Sequence, residues 1–163
     1  MPNVDLLAFR SGARFPSLML AATVDRHAVL RRRLRVGLGV FFVVGGLAHF
    51  AAPHLYDPMM PPWLPWHRPL IYLSGLAELA GGIGVLTMRF RRPAAWGLVA
   101  LLVAIFPANL HVALDPAAAA EFGFSQSILW LRLPVQALFI FWVWWTCLRP
   151  VGLSQKLRAA ARD

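Results

Sequence analysis

At 163 residues, 59% of them hydrophobic and 14% charged, with a mean hydropathy of +0.61, the chain lacks the polar surface that a water-soluble domain needs. Its single cysteine, Cys147, excludes an internal disulfide and a dithiol redox pair within the chain. The net charge of +9 would suit nucleic acid, but the basic residues flank apolar stretches, so the lipid bilayer is the expected partner and nucleic acid is not.

Residues 1–35 form a basic extension in which Arg10, Arg14, Arg26, Arg31, Arg32, Arg33 and Arg35 precede the first apolar run. Its patch Leu18–Ala22 is too short for the core of a cleaved secretory signal, and the cluster Arg31–Arg35 is misplaced for one, so the extension is expected to be retained. From Ser17 to Arg35 it is read either as a helix on the membrane surface or as a disordered tail. Four apolar stretches follow: Val36–Ala52, Leu70–Met88, Ala94–Leu114 and Ile128–Leu148. At about 1.5 Å rise per residue each reaches across a hydrocarbon core of ~30 Å, the first with least to spare. The predicted fold is therefore all-α, an antiparallel bundle of four transmembrane helices over residues 36–149, with a basic tail over 150–163.

Fourteen of the sixteen basic residues fall on one side if the four segments alternate across the membrane; Arg68 and Arg132 are the exceptions. This asymmetry predicts that both termini and the loop around Arg89, Arg91 and Arg92 face the cytoplasm of a bacterial inner membrane. On the other side, Pro53, Pro58, Pro61, Pro62, Pro65 and Pro69 interrupt the first connection, which therefore cannot be one helix. Its apolar content predicts a structured cap at the outer interface, with Trp63 and Trp66 anchored there and closing whatever lies beneath. The third connection, Asp115 to Gln126, reads as a short outer excursion.

The four spans carry one carboxylate and one guanidinium, Glu78 and Arg132, and charges in such segments point to function and require partners. Span one ends at His49. Span two aligns Ser74, Glu78 and Gly82 on one face, which must turn inward. Span three holds Asn109 and His111 just after Pro107, and these two share a site only if the helix is distorted there. Span four opens with Arg132 and Gln136. All of these lie in the outer half of the predicted bundle, with Glu78 deepest, so the candidate polar pocket comprises His49, Glu78, Asn109, His111, Arg132, Gln136, Trp63 and Trp66.

Glu78 and Arg132 make the strongest predicted pair. They either fasten helices two and four, with His49, Asn109 and Gln136 completing the hydrogen bonds, or form part of a site for a ligand, a quinone head group or a proton relay. A metal bound by His49, Glu78 and His111 is disfavoured, because no paired ligand spacing occurs and Glu78 is expected one to two turns too deep. No nucleophile elbow, Cys–His arrangement or phosphate loop is present.

The stretches His49-Phe50, Pro62-Trp63-Leu64-Pro65, Tyr72 to Gly82, Ala95-Trp96-Gly97-Leu98, Phe106-Pro107-Ala108-Asn109 and Arg132-Leu133-Pro134-Val135-Gln136 resemble, in order, the DoxX family of small bacterial membrane proteins. The resemblance covers roughly Val36 to Arg149. It implies a four-helix inner-membrane protein. Relatives associated with thiosulfate:quinone oxidoreductase, or with assemblies responding to oxidative or thiol stress, further imply a quinone or small sulfur metabolite as ligand and a membrane oxidoreductase as partner. Without paired cysteines or a cofactor motif, the chain is expected to be an accessory subunit and not an autonomous enzyme. A small-solute transporter, which would need a homo-oligomer, and a structural membrane chaperone or scaffold are the rival readings.

Overall fold

The computed structural model describes residues 14–149, with side chains from residue 26 onward; residues 1–13 and the predicted tail 150–163 lie outside the described residues. All regular structure among the described residues is helical. The chain divides into two units, Met1–Leu34 and Arg35–Asp163. In the first, the described residues are helical.

The elements are α1 (Arg14–Ala51), a 3₁₀ helix (Pro53–Met59), α2 (His67–Leu86), α3 (Arg91–Leu114), a short α4 (Pro116–Phe122) and α5 (Gln126–Val143), which ends in a π-helical turn, Trp144–Leu148. Among the described residues four segments are long and apolar enough to cross a membrane: Arg26–Ala51, His67–Leu86, Arg91–Leu114 and Gln126–Leu148. Each starts earlier than the apolar run inside it, because the helix takes in the polar residues that precede that run.

In a bilayer, lipid tails are as apolar as leucine, so helices associate through close packing and hydrogen bonds instead of hydrophobic burial. Paired glycines join α1 to α2. A Cβ on Gly46 would lie 2.7 Å from the carbonyl oxygen of Gly75, and one on Gly82 would lie 2.8 Å from that of Gly39. Numbers rise along one helix as they fall along the other, so α1 and α2 run antiparallel with their backbones in contact. The side chains of Leu47, Leu73, Leu76, Val103, Leu131 and Leu138, all exposed, face outward, as expected of a lipid-facing surface.

Two apolar clusters close the ends of the bundle. Leu38, Phe42, Val85, Leu98, Val143 and Cys147 pack near the α2–α3 turn. Met59, Val112, Ala113, Ala118, Ala119 and Leu129 pack at the opposite, capped end, where the 3₁₀ helix meets α4. The short α4 corrects the plain excursion expected between Asp115 and Gln126. The Asp115 carboxylate accepts hydrogen bonds from the backbone N–H groups of Ala117 (2.9 Å) and Ala118 (3.4 Å), Pro116 opens the helix, and Gly123 closes it at φ +78°, an N-cap and C-cap signature that wins over the loop.

Pro107 does not break α3, which is continuous from Arg91 to Leu114. Trp66, at φ +60°, is the only non-glycine residue with positive φ among the described residues, and it turns the cap into α2.

Candidate functional site

Between the two apolar ends lies a cavity of about 540 Å³, lined by side chains from α1, the cap, α2, α3 and α5. His49, Glu78, Asn109 and Arg132 all line it. A second cavity of about 500 Å³ sits under the cap, between the 3₁₀ helix and α4, and Tyr56, Met59 and Arg132 line both.

Glu78 faces a titratable side chain of α1. His49 Nε2 is 3.7 Å from Glu78 Oε1, and among the described residues no carboxylate lies within ion-pair distance of Arg132. This corrects both the Glu78–Arg132 pair and the depth assigned to Glu78. Side chains lean toward the N-terminus of their own helix. Thus His49, near the end of α1, leans down into the bundle, while Glu78 on the antiparallel α2 leans up toward the cap, and the glycine contacts bring them together. Arg132 stands across the cavity with Nη1 3.8 Å from Met59 Sδ and its guanidinium 5.3 Å from the centroid of the Phe122 ring, a cation–π arrangement.

The His49 ring is fixed on its other side. Its Nδ1 lies 3.0 Å from the carbonyl oxygen of Ile71. A carbonyl only accepts, so Nδ1 carries a proton. Ser74 Oγ donates to the same carbonyl at 2.8 Å and sits 3.2 Å from Nδ1. The His49 ring stacks on Tyr56 with centroids 3.8 Å apart. Burial pushes the Tyr56 hydroxyl above its ordinary phenol range, the Glu78 carboxyl adds to the rise and Arg132 opposes it, so near neutral pH Tyr56 remains a neutral donor.

Asn109 and Gln136 form a buried amide pair between α3 and α5. Gln136 Nε2 donates to the carbonyl of Leu102, which turns Gln136 Oε1 to receive Asn109 Nδ2 at 3.2 Å. The other amide oxygen, Asn109 Oδ1, is buried without a hydrogen-bond partner.

The remaining predicted site residues fall elsewhere. Gln136 is buried behind Asn109 and does not line the cavity. His111 lines neither cavity, because two residues along a continuous helix turn it about 200° from Asn109. Trp63 and Trp66 are 71% and 77% exposed; Met59, Met60 and Leu64 supply the cap's share of the lining instead. Proline-rich turns hold the two indoles outward, where they suit an interfacial belt. Tyr56 and Met59 escaped the sequence reading, since no polar periodicity marks them within the proline-rich cap. Among the described residues no three His, Cys, Asp or Glu side chains gather in one place.

Residues 38–147 match the family model described as a domain of unknown function, DUF8561, and the chain belongs to that family. No curated protein and no solved structure matches it.

Proposed function

We propose that this DUF8561 protein is an accessory, ligand-binding subunit of a bacterial inner membrane, with both termini cytoplasmic and the Pro53–Trp66 segment covering the outer face. One observation carries the reading: costly polar side chains from four separate helices, His49, Glu78, Asn109 and Arg132, meet at one cavity, where a purely structural bundle would have been filled with leucine. The arginine asymmetry supports the orientation. The resemblance to the DoxX family supports a quinone or small sulfur metabolite as occupant and a membrane oxidoreductase as partner. On this reading the partner performs the electron transfer, and Glu78, His49 and Arg132 hold the head group of the molecule.

Extraction of the native protein in a mild detergent tests the reading. A co-purifying redox protein, or a bound quinone in the lipid extract that is lost on Glu78→Gln, is the expected result. A pure, folded protein with neither would overturn it. Arg132 lining both cavities favours a second reading, passage of a small solute from the outer cavity past Arg132 to the inner one. Solute flux into proteoliposomes that vanishes in Glu78→Gln would select it.

A further inference from the structure

We infer that the occupant of the inner cavity is a membrane-borne amphiphile whose head group offers hydroxyl donors and whose apolar chain leaves sideways, between α2 and α3, into the bilayer. The inference rests on the reading of this cavity as a ligand site and names the chemistry it selects.

The first argument is the unmet acceptors beside the cavity. The Gln136 amide is oriented by the carbonyl of Leu102, and it orients Asn109 in turn. What remains is Oδ1 of a residue only 6% exposed, an acceptor with no donor. A buried unsatisfied acceptor is costly, and a ligand hydroxyl would relieve it. The second acceptor site is the His49–Glu78 pair. With Nδ1 committed as a donor to Ile71, the imidazole presents Nε2 toward Glu78 Oε1 at 3.7 Å, too long for a hydrogen bond. A proton on either partner would satisfy one member of that pair and leave Asn109 Oδ1 as it is. A head group with carbonyl oxygens alone can pair with Arg132 but not with Asn109 Oδ1; one with hydroxyls serves both.

The second argument is the open side of the cavity. On α3 its lining includes Gly97, Ala100 and Ala104, a spacing of three and four that places them on one face, and all three are exposed. On α2, Leu73 also lines the cavity and is 60% exposed. A Cβ placed on Gly97 would meet nothing within 4 Å. An apolar slot, unfilled by any of the described side chains, therefore runs from the polar groups to the lipid-facing surface. Polar groups at one end and an apolar slot at the other commit the occupant to being an amphiphile.

Equilibrium binding to the full-length protein in phosphatidylcholine nanodiscs tests this with labelled 4-dodecylresorcinol, 1-O-dodecylglycerol and the dimethyl ether of each. One of the free diols should bind about ten-fold tighter than its ether, the equivalent of ~1.4 kcal/mol for one restored hydrogen bond. Which diol does so separates a phenolic ligand from a glycerol-type lipid head. Asn109→Leu should bring the ratio below about three-fold. Because that substitution also strips Gln136 of its partner, Gly97→Leu provides a second measurement: leucine favours helix over glycine and would occupy the slot, so the dodecyl compound should lose about ten-fold and 4-methylresorcinol much less. Ethers binding as tightly as diols, or Gly97→Leu leaving dodecyl affinity unchanged, would overturn the inference. Binding of thiosulfate with no amphiphile bound would overturn it while leaving the cavity a ligand site; binding of neither would remove both.

Discussion

Replacing Gly46 by alanine adds one methyl group where the backbones of α1 and α2 touch. That Cβ would lie 2.7 Å from the Gly75 carbonyl oxygen and 2.9 Å from the Leu79 nitrogen, against the 3.4 Å at which ordinary contact begins, so the helices must part by 3.4 − 2.7, or about 0.7 Å. Both atoms are main-chain atoms of a helix and cannot swing aside. Overpacking of this kind costs ~1–3 kcal/mol. Alanine also favours helix over glycine by up to about 1 kcal/mol, which would hide part of that cost. Gly97→Ala removes the ambiguity: it carries the same propensity gain at a site where the new Cβ meets nothing within 4 Å. The difference between the two variants therefore isolates the packing term, and in reversible unfolding by sodium dodecyl sulfate it should amount to about 5- to 150-fold in the unfolding equilibrium constant. Since His49 lies one turn beyond Gly46, Gly46→Ala should also spread the His49–Glu78 contact and weaken ligand binding. Equal stability of the two variants would refute the close contact between α1 and α2, and with it the placement of His49 beside Glu78.

Asp115→Ala removes the side chain that caps α4 and should cost ~0.5–2 kcal/mol in the same unfolding assay, with Asp115→Asn retaining most of the stability. Cys147 is 4% exposed within the apolar cluster near the α2–α3 turn, so maleimide labelling in nanodiscs should be at least roughly a hundredfold slower than after unfolding, because access requires local opening. The ion pair between Arg68 and Asp57, 2.7 Å apart, leaves both side chains substantially exposed, so Asp57→Asn should change stability by no more than about 0.5 kcal/mol.

The spans were legible because length and apolarity alone decide whether a helix can cross a bilayer. Helix ends were less so: α2 begins at His67 and α3 at Arg91, outside the apolar runs, since a first turn tolerates polar residues. The polar residues of the candidate site could be named, but their pairing could not. Spacing along a chain gives depth only to within a turn or so, and whether Glu78 meets His49 or Arg132 depends on the direction in which each side chain leans and on how closely α1 approaches α2. That approach was foreshadowed by Gly82 on the inward face of span two, although not its register against α1. Asn109 and His111 were separable once Pro107 proved not to interrupt α3. Tyr56 was hidden because a 3₁₀ helix among prolines takes its geometry from what it packs against, here the region around α4, and α4 itself was overlooked despite the Asp-Pro start and the Gly123 stop.

The open side of the inner cavity bears on what fills it at rest. Acyl chains of the surrounding bilayer can cover Gly97, Ala100 and Leu73 at little cost, since one hydrocarbon contact replaces another. They cannot satisfy Asn109 Oδ1, nor place a donor between His49 and Glu78. A specific ligand therefore competes with lipid chiefly through its head group, and its chain contributes mainly by keeping the head group in the membrane and at the right depth. Selectivity among amphiphiles should follow hydroxyl chemistry more steeply than chain length, provided the chain can pass the slot beside Gly97. In nanodiscs, lengthening an alkylresorcinol from eight to sixteen carbons, at equal concentration in the lipid phase, should change affinity less than methylating its two hydroxyls does. The reverse order would mean that the slot, and not the polar groups at its end, selects the molecule.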